Sequence, residues 1–508
     1  MDVLLGIDIG TSGTRVLATT PSGETLGSAT ETYPCSVPRP LWSEQNPDDW
    51  WRATVRATRT VMEKTGLKPY EVRGIGLSGQ MHGSVFLDEE NRVIRPAILW
   101  NDQRTTTECA EIERRAGGRE SLIRMVANPA MTGFTAPKIL WLRNHEPEHF
   151  ARLRKILLPK DEIRRRLTGE FATEVSDASG MLLLDVAHRR WSDELLNALE
   201  LDRSLLADVY ESADVTGHLT AEVADQLGLT TECVVVGGAG DCAAGAIGNG
   251  IVRPGILSTS IGTSGVMFVH SDEARIDPLG RVHTFCHAVR GKYHQMGVTL
   301  SAGGSLQWFR NALCETDHQR AMENGEEIYE ILTREASETP CGARGLFFLP
   351  YLSGERTPYA DPDARGAFVG LTLAHGRAEM VRAILEGVVC SLRDSLEIFE
   401  ELGVPVTQIR ASGGGSRSPF WRQIQADCFG RPVVTVHTDE GPAFGAALLA
   451  SVGAKFHPDI ETACDAAIRI VGETACDPAN HEIYDRHFPE YQRLYQSLRD
   501  DFRRIAAL

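Results

Sequence analysis

Apolar and polar positions along this chain fall into strand-like runs that alternate with stretches of helical spacing. Val3 to Ile9 is apolar except for Asp8, and it turns at Gly10-Thr11-Ser12-Gly13 into a second run, Val16 to Ala18. The pair predicts a β-hairpin. The pentapeptide Ile-Gly-Thr-Ser-Gly of this turn, Ile9 to Gly13, recurs at Ile261 to Gly265, again between strand-like runs, Gly255 to Ile261 and Val266 to Val269. One turn repeated half a chain apart with the same flanks predicts two similar lobes.

Between and after the turns, strands and helices alternate, the pattern of α/β layers. Asn46-Pro47-Asp48-Asp49 reads as a helix start, with a cap, proline in the first turn and acids at the positive end of the dipole. Trp51, Val55, Thr58 and Met62 then predict its buried face, and Gly66 its end. Val72 to Leu77, Ser84 to Leu87 and Ala97 to Trp100 predict strands. In the second half, Ala378 to Phe399 and Pro419 to Phe429 predict helices, and Gln408 to Ala411 and Val433 to Val436 predict strands. Tyr491, Leu494, Leu498, Phe502 and Ile505 place a C-terminal helix with one face on the second lobe. Gly, Asn and Pro concentrate at Gly245 to Pro254, which divides the chain into residues 1–248 and 249–508.

Composition narrows the function. With 52 Lys and Arg against 69 Asp and Glu, the formal net charge is −17, and such a surface repels nucleic acid and anionic lipid. The longest weakly charged stretch, Pro254 to Val269, is too short for a bilayer, and the start of the chain lacks a signal-peptide pattern, so the expected location is the cytoplasm. Eleven cysteines without a C-x-x-C pair fit reduced thiols.

Three places carry chemistry. Asp8 is a carboxylate in an apolar strand and needs a cation or donors. The glycine and hydroxyl turn behind it can cradle phosphate oxygens, with Mg²⁺ held by Asp8 through water; a plain hairpin with an acid at a strand end is the other reading. Asp241 follows Gly237-Gly238-Ala239-Gly240 at a helix start, where it is either an ordinary cap or a base for a substrate hydroxyl that bare glycine lets approach. Gly413-Gly414-Gly415-Ser416-Arg417-Ser418 is a third glycine-rich strand-to-helix turn. Two pattern matches point elsewhere and fail. Gly74-Ile75-Gly76-Leu77-Ser78-Gly79 sits within a strand rather than at a Rossmann helix start, and Pro147 keeps His145 and His149 off a common helical face for zinc. There is no Walker motif and no G-x-S-x-G elbow.

The chain resembles the FGGY carbohydrate kinases over nearly its full length. The resemblance is carried by Asp8 to Arg15, Asp241, Pro40 to Gln45, Ser78 to Gly83, Arg95 to Asp102, Gly133 to Lys138, Leu158 to Asp161 and Leu352 to Pro358, and Met131 to Glu146 and Gly366 to Glu386 are similar to the two family signatures. It implies an α/β, two-lobed, actin-like ATPase (ribonuclease-H-like) fold with ATP and sugar in the interlobe cleft. Residues 1–248 would carry the sugar site, the first phosphate loop and the base; residues 249–508 would carry the second phosphate loop, the adenosine site and the C-terminal helix. Asp241 matches the catalytic base and Asp8 the Mg²⁺-associated aspartate. Thr11, Ser12, Gly13, Arg15, Gly262, Thr263, Gly303, Gln307, Gly414 and Ser418 match nucleotide-contacting positions, and Gln80, Met81, His82, Trp100, Asn101 and Asp102 match sugar-binding ones. The implied reaction is transfer of the γ-phosphoryl group of ATP to the 5-hydroxyl of D-xylulose, with small molecules as partners, neither nucleic acid nor membrane, and a homodimer left open. The rivals are a ribulose, glycerol or gluconate kinase of the same family and an actin- or Hsp70-like ATPase without a sugar. Glycerol kinases differ at Gln80 to Gly83, which disfavours glycerol. Cys242 stands where many relatives have an amide side chain, and a thiol cannot reproduce the paired donor and acceptor of that amide.

Overall fold

The computed structural model describes residues 1–438 and 440–508, with His318 described by its backbone only. The first sheet is built from β1 (Val3–Ile9), β2 (Gly13–Thr19), β3 (Thr25–Thr32), β4 (Val72–Gly79), β5 (Val215–His218) and β6 (Val234–Val236), in the order β5-β6-β4-β1-β2-β3, and the two-residue strand Ala239–Gly240 also pairs with β4. The first three strands form an antiparallel meander, and β4 and β6 add in parallel beside β1. The second sheet is built from β7 (Gly255–Ile261), β8 (Gly265–Ser271), β9 (His283–Cys286), β10 (Tyr293–Thr299), β11 (Val406–Ser412), β12 (Val433–Val436) and β13 (Ile470–Thr474), in the order β9-β10-β8-β7-β11-β12-β13. Here β7, β8 and β10 repeat the meander, and β11 and β12 repeat the parallel pair. Two copies of one ribonuclease-H-like motif, each opening on an Ile-Gly-Thr-Ser-Gly hairpin, make the actin-like architecture.

The helices that position the site are α1 (Pro47–Thr65), α2 (Thr135–His145), α3 (Pro159–Thr168), α4 (Val175–Ser179), α5 (Asp241–Gly248), α6 (Gly303–Leu313), α7 (Arg377–Glu401), α8 (Pro419–Phe429), α9 (Gly441–Gly453) and α10 (Pro478–Ala506). Asn46 caps α1 by accepting from the Asp48 amide, and Gly66 ends it in the left-handed region, as the sequence predicts. Its buried stripe is turned by one residue from the expected face. Trp50, Ala53, Ala57 and Val61 join Thr58 inside, because the Trp50 indole reaches inward to Gln45, while Trp51, Val55 and Met62 are only partly covered. In α10 the buried residues include Tyr484, Phe488, Tyr491, Tyr495 and Phe502, whereas Ile505 is exposed in the last turn. α2 stops at His145 and a new helix starts at Pro147, so His145 turns to Glu108 and His149 to Glu146. No helix among the described residues is long and apolar enough to cross a membrane, and all eleven cysteines are free.

The two halves interlock. Although α9 follows the last parallel strand of the second sheet, it packs beneath β1 and β4 of the first, and across α5. These approaches require bare backbone. A Cβ on Gly6 would lie 1.8 Å from the Ala443 carbonyl oxygen, one on Gly76 1.8 Å from that of Ala446, and one on Gly445 1.8 Å from that of Ala244. A second seam joins β8, β9 and β10 to the insertion around α2, through Phe268, Phe285, Met296, Phe134 and Met181. Because Ala244 O is backbone and cannot swing aside, Gly445→Ala is expected to destabilise the protein by at least about 2 kcal/mol, the upper part of the overpacking range. The readout is the midpoint of urea unfolding followed by tryptophan fluorescence; an unshifted midpoint would refute the close-contact argument.

Candidate active site

The first glycine turn directly follows the strand that carries Asp8, and the charge of Asp241 reaches that carboxyl. Asp8 lies on β1 opposite Arg15 of β2 and Ser78 of β4. Burial, together with the negative charge of Asp241, raises its carboxyl to about 7, with the Ser78 hydroxyl and Arg15 opposing. The guanidinium of Arg15 pairs instead with Glu440, at the start of α9, so Asp8 Oδ1 remains a buried oxygen without a hydrogen bond. Since the folded pKa lies above the unfolded one, the stability that Asp8 contributes is present below about 4 and is lost as pH rises towards 7. A hard cation would relieve that penalty, and an orphaned, buried carboxylate oxygen beside backbone turns is a donor that suits Mg²⁺.

Asp241 opens α5. The neighbouring Gly240 amide donates to Ser176 Oγ (3.2 Å), and the Asp241 Oδ1 accepts from the Cys242 amide (2.7 Å). Burial raises its carboxyl to about 6, and the Cys242 amide holds it from going higher. The Cys242 thiol is pushed well up by burial and by Asp241, so it is a neutral thiol and no nucleophile.

Around the first turn, Gln80 and Trp100 come together with Thr11. The Thr11 hydroxyl donates to Gln80 Oε1 (3.2 Å) and accepts from Trp100 Nε1 (3.0 Å), while Gln45 Nε2 donates to the Thr11 carbonyl (2.7 Å). Gly10 N to Gly13 O (3.0 Å) closes the turn, and Ser12 is exposed at its tip. Met81 is buried against Gly240 and Gly180. His82 adopts a left-handed backbone (φ 67°), which turns its ring onto the Gly180 carbonyl (Nδ1 to O, 2.8 Å). Lys138 supports this bend by donating to the carbonyls of His82 and Gly133, both at 2.8 Å. Burial lowers Lys138 to about 7 and, together with the Lys138 charge, holds His82 well below its usual value. Asn101 is exposed. Asp102 is turned away from the others: fully buried, it accepts from the Ser43 amide (2.7 Å) and forks onto Arg104, so its carboxylate shapes the loop that carries Trp100.

The second-lobe residues converge on Ile261. The Thr263 carbonyl accepts from the amides of Ala302 (2.8 Å) and Gly304 (3.0 Å), and Gly262 O accepts from Gly303 N (2.8 Å), which seats the N-terminus of α6 on the second turn. A Cβ on Gly303 would lie 2.5 Å from Gly262 O. Gln307 is exposed one turn along α6. Gly413 (φ 73°) and Gly415 press onto Ile261, leaving Gly414 exposed, and Ser418 caps α8 by accepting from the Trp421 amide (3.3 Å).

Sequence reasoning assigned no role to the cluster behind Asp241. Lys160 Nζ, fully buried, lies 2.7 Å from Asp161, 3.5 Å from Glu174 and 3.4 Å from Asp177. Glu174 caps α4, holding the Ser176 amide and hydroxyl, and Ser176 in turn receives Gly240. Burial, only partly offset by Lys160, pushes Asp177 well up. The available signal was the adjacent Lys160-Asp161, separated only by Pro159 from the apolar Ile156-Leu157-Leu158.

The N-terminal domain model of the FGGY family of carbohydrate kinases matches residues 3–248, and the C-terminal domain model of that family matches residues 257–454. The xylulose kinase of Escherichia coli K12 is 42% identical over 504 residues, covering 99% of this chain and 98% of that protein. Among solved structures, a xyloylose kinase from Brucella ovis superposes with a TM-score of 0.89 at 39% identity, over 98% of this chain and 99% of that one. The ligand-bound xylulose kinase from Lactobacillus acidophilus superposes with a TM-score of 0.92 at 26% identity, over 99% of this chain and 100% of that one. With a partly buried carboxylate at a helix start, one turn repeated in both sheets and both domains matched in order, this chain belongs to the FGGY family of carbohydrate kinases.

Proposed function

We propose that the protein transfers the γ-phosphoryl group of ATP to the 5-hydroxyl of D-xylulose, giving D-xylulose 5-phosphate and ADP in the cytoplasm. The observation that carries this reading is Asp241: a carboxylate at the start of α5, raised to about 6, beside bare glycine and the Met81–His82 bend. A base of that pKa is ionised at neutral pH yet accepts a proton readily, which suits removal of an alcohol proton as oxygen meets phosphorus. The xylulose kinases with which the chain aligns end to end support the choice of sugar.

In this reading, residues 1–248 hold the sugar on Met81, His82, Trp100 and Asn101. Gln80 and Asp102 keep those segments in place through Thr11, Gln45 and Arg104. Amides of the turns at Gly10–Gly13 and Gly262–Thr263 donate to phosphate oxygens, which stabilises charge spread over the transferring group. Residues 249–508 add Gly303, Gln307, Gly414 and Ser418 on the adenosine side. Asp8 would hold Mg²⁺ through water, and the ion would supply charge neutralisation between the phosphates. Excluding water between the lobes keeps the phosphoryl group for the sugar.

Asp241→Asn is expected to lower kcat by at least about 10³-fold while leaving ATP affinity by titration calorimetry within about threefold; full turnover in a coupled ADP assay would remove Asp241 as the base. Because both Asp241 and Asp8 must be ionised, kcat/KM for the sugar should reach its plateau only well above pH 7 and fall as pH drops through 7 to 6, the two groups titrating as a coupled pair. Raised Mg²⁺ should move this acid limb to lower pH, and a limb insensitive to Mg²⁺ would detach the ion from Asp8. Asp8→Asn removes the buried charge, so at pH 8 the unliganded protein should melt about 1–3 °C higher while the stabilisation that MgADP confers is lost. A lower melting point with MgADP stabilisation intact would contradict the assignment.

A further inference from the structure

Four residues with almost no side chain, Gly237-Gly238-Ala239-Gly240, lead into Asp241, so side-chain packing of their own cannot hold this approach. The backbone holds it instead. The Gly237 amide donates to Asp214 O (3.0 Å) and the Gly238 amide to Ser212 O (2.9 Å), while Ala239 and Gly240 pair with Ser78 and Gly79 of β4. The Gly240 amide, one residue from Asp241, goes to a side chain, Ser176 Oγ (3.2 Å).

Ser176 is fully buried in α4 and is oriented by Glu174, whose Oε2 accepts from its amide (2.7 Å) and whose Oε1 accepts from its hydroxyl (2.9 Å). Oε1 also accepts from the Asp177 amide (2.8 Å) and Oε2 from the Ser212 hydroxyl (2.8 Å), with Lys160 Nζ 3.5 Å from the same carboxylate. The single hydroxyl hydrogen of Ser176 is therefore committed to Glu174, and its lone pairs are left for the Gly240 amide. The other end of α4 reaches the sugar side. The helix stops at Gly180, whose carbonyl lies 2.8 Å from His82 Nδ1, and a Cβ on Gly240 would lie 2.8 Å from Met81 Cγ. One helix of five residues thus ties the residue before Asp241 to the bend that carries Met81 and His82.

We infer that Ser176 is a positioning residue: its hydroxyl, oriented by Glu174, holds the Gly240 peptide and so aims the Asp241 carboxylate at the sugar hydroxyl. The inference rests on the kinase reading and names what sets the aim of its base. Ser176 is covered on all sides in the folded protein, so its loss leaves the binding surfaces intact. A base displaced by about 1 Å costs on the order of 10²-fold in rate, because the oxygen that takes the proton no longer meets the hydroxyl in line. The effect belongs to kcat.

The test measures kcat and KM for D-xylulose and ATP on wild type, Ser176→Ala and Ser212→Ala. Ser176→Ala should lower kcat at least about 10-fold with both KM values within about threefold. Ser212→Ala deletes an equally buried bond to the same Glu174 carboxylate and leaves the Gly240 amide its partner, so its kcat should stay within about twofold of wild type. A merely structural role would slow the two variants alike. Equal losses of kcat in both, a rise in KM at constant kcat in Ser176→Ala, or no change there would each overturn the inference. If Ser176→Ala does not fold, Ser176→Cys, close in volume and a weak acceptor, is measured by the same criteria; failure of both to fold would mark Ser176 as part of the core and overturn the positioning role. A wild type that releases no ADP with any sugar defeats the kinase reading, whereas active wild type with unaltered Ser176→Ala defeats only this assignment.

Discussion

The position of Asp241, the proposed base, depends on two helices touching backbone to backbone. α5 carries Asp241 at its first residue, and Gly445 of α9 lies against its Ala244 carbonyl with no room for a methyl group. The same α9 presses on the first sheet at Gly6 and Gly76, on the strands that hold Asp8 and end near Gln80. Its start carries Glu440, which engages Arg15. One helix from the second half of the chain therefore fixes both carboxylates and the cation of the first turn. Because interiors are close-packed and resist small displacements, a shift at this crossing is transmitted to the site rather than absorbed.

Electrostatics then set the working state. Asp8, Asp241 and Asp177 are like charges withdrawn from water, and each is pushed up by burial. Lys160 sits among the carboxylates behind Asp241, and among the described residues Asp8 Oδ1 has no hydrogen-bond partner. In the proposed reaction, nucleotide and metal that pair with these carboxylates would stabilise the folded protein, which would couple occupancy of the cleft to stability.

Much of this was legible in the residues. The duplicated turn announced two lobes because the identical five residues perform the same local task, a tight reversal, in each sheet. Caps at Asn46 and Ser418, and bounds at Pro419–Phe429 and Val433–Val436, followed from local chemistry and period. The face of α1 was read one residue off, since several of its residues are apolar or small and only the Trp50 to Gln45 bond decides the rotation. Asp102 matched a sugar-binding segment, yet its carboxylate is spent on Arg104 and Ser43, partners that no linear pattern reveals. The passage of α9 beneath the wrong sheet was likewise invisible, because its bare glycines record a close contact without naming the neighbour.

The repeated turns have the same sequence and different employment. At the first, the threonine side chain is engaged by Gln80 and Trp100; at the second, the threonine carbonyl anchors the amides of Ala302 and Gly304. Duplicated segments in this fold are thus not interchangeable parts: one copy is tied to the loop that carries Trp100 and the other to the start of α6. Engineering by analogy between halves, such as swapping hairpins to build a symmetric chimera, would join two backbones that superpose and two sets of obligations that do not.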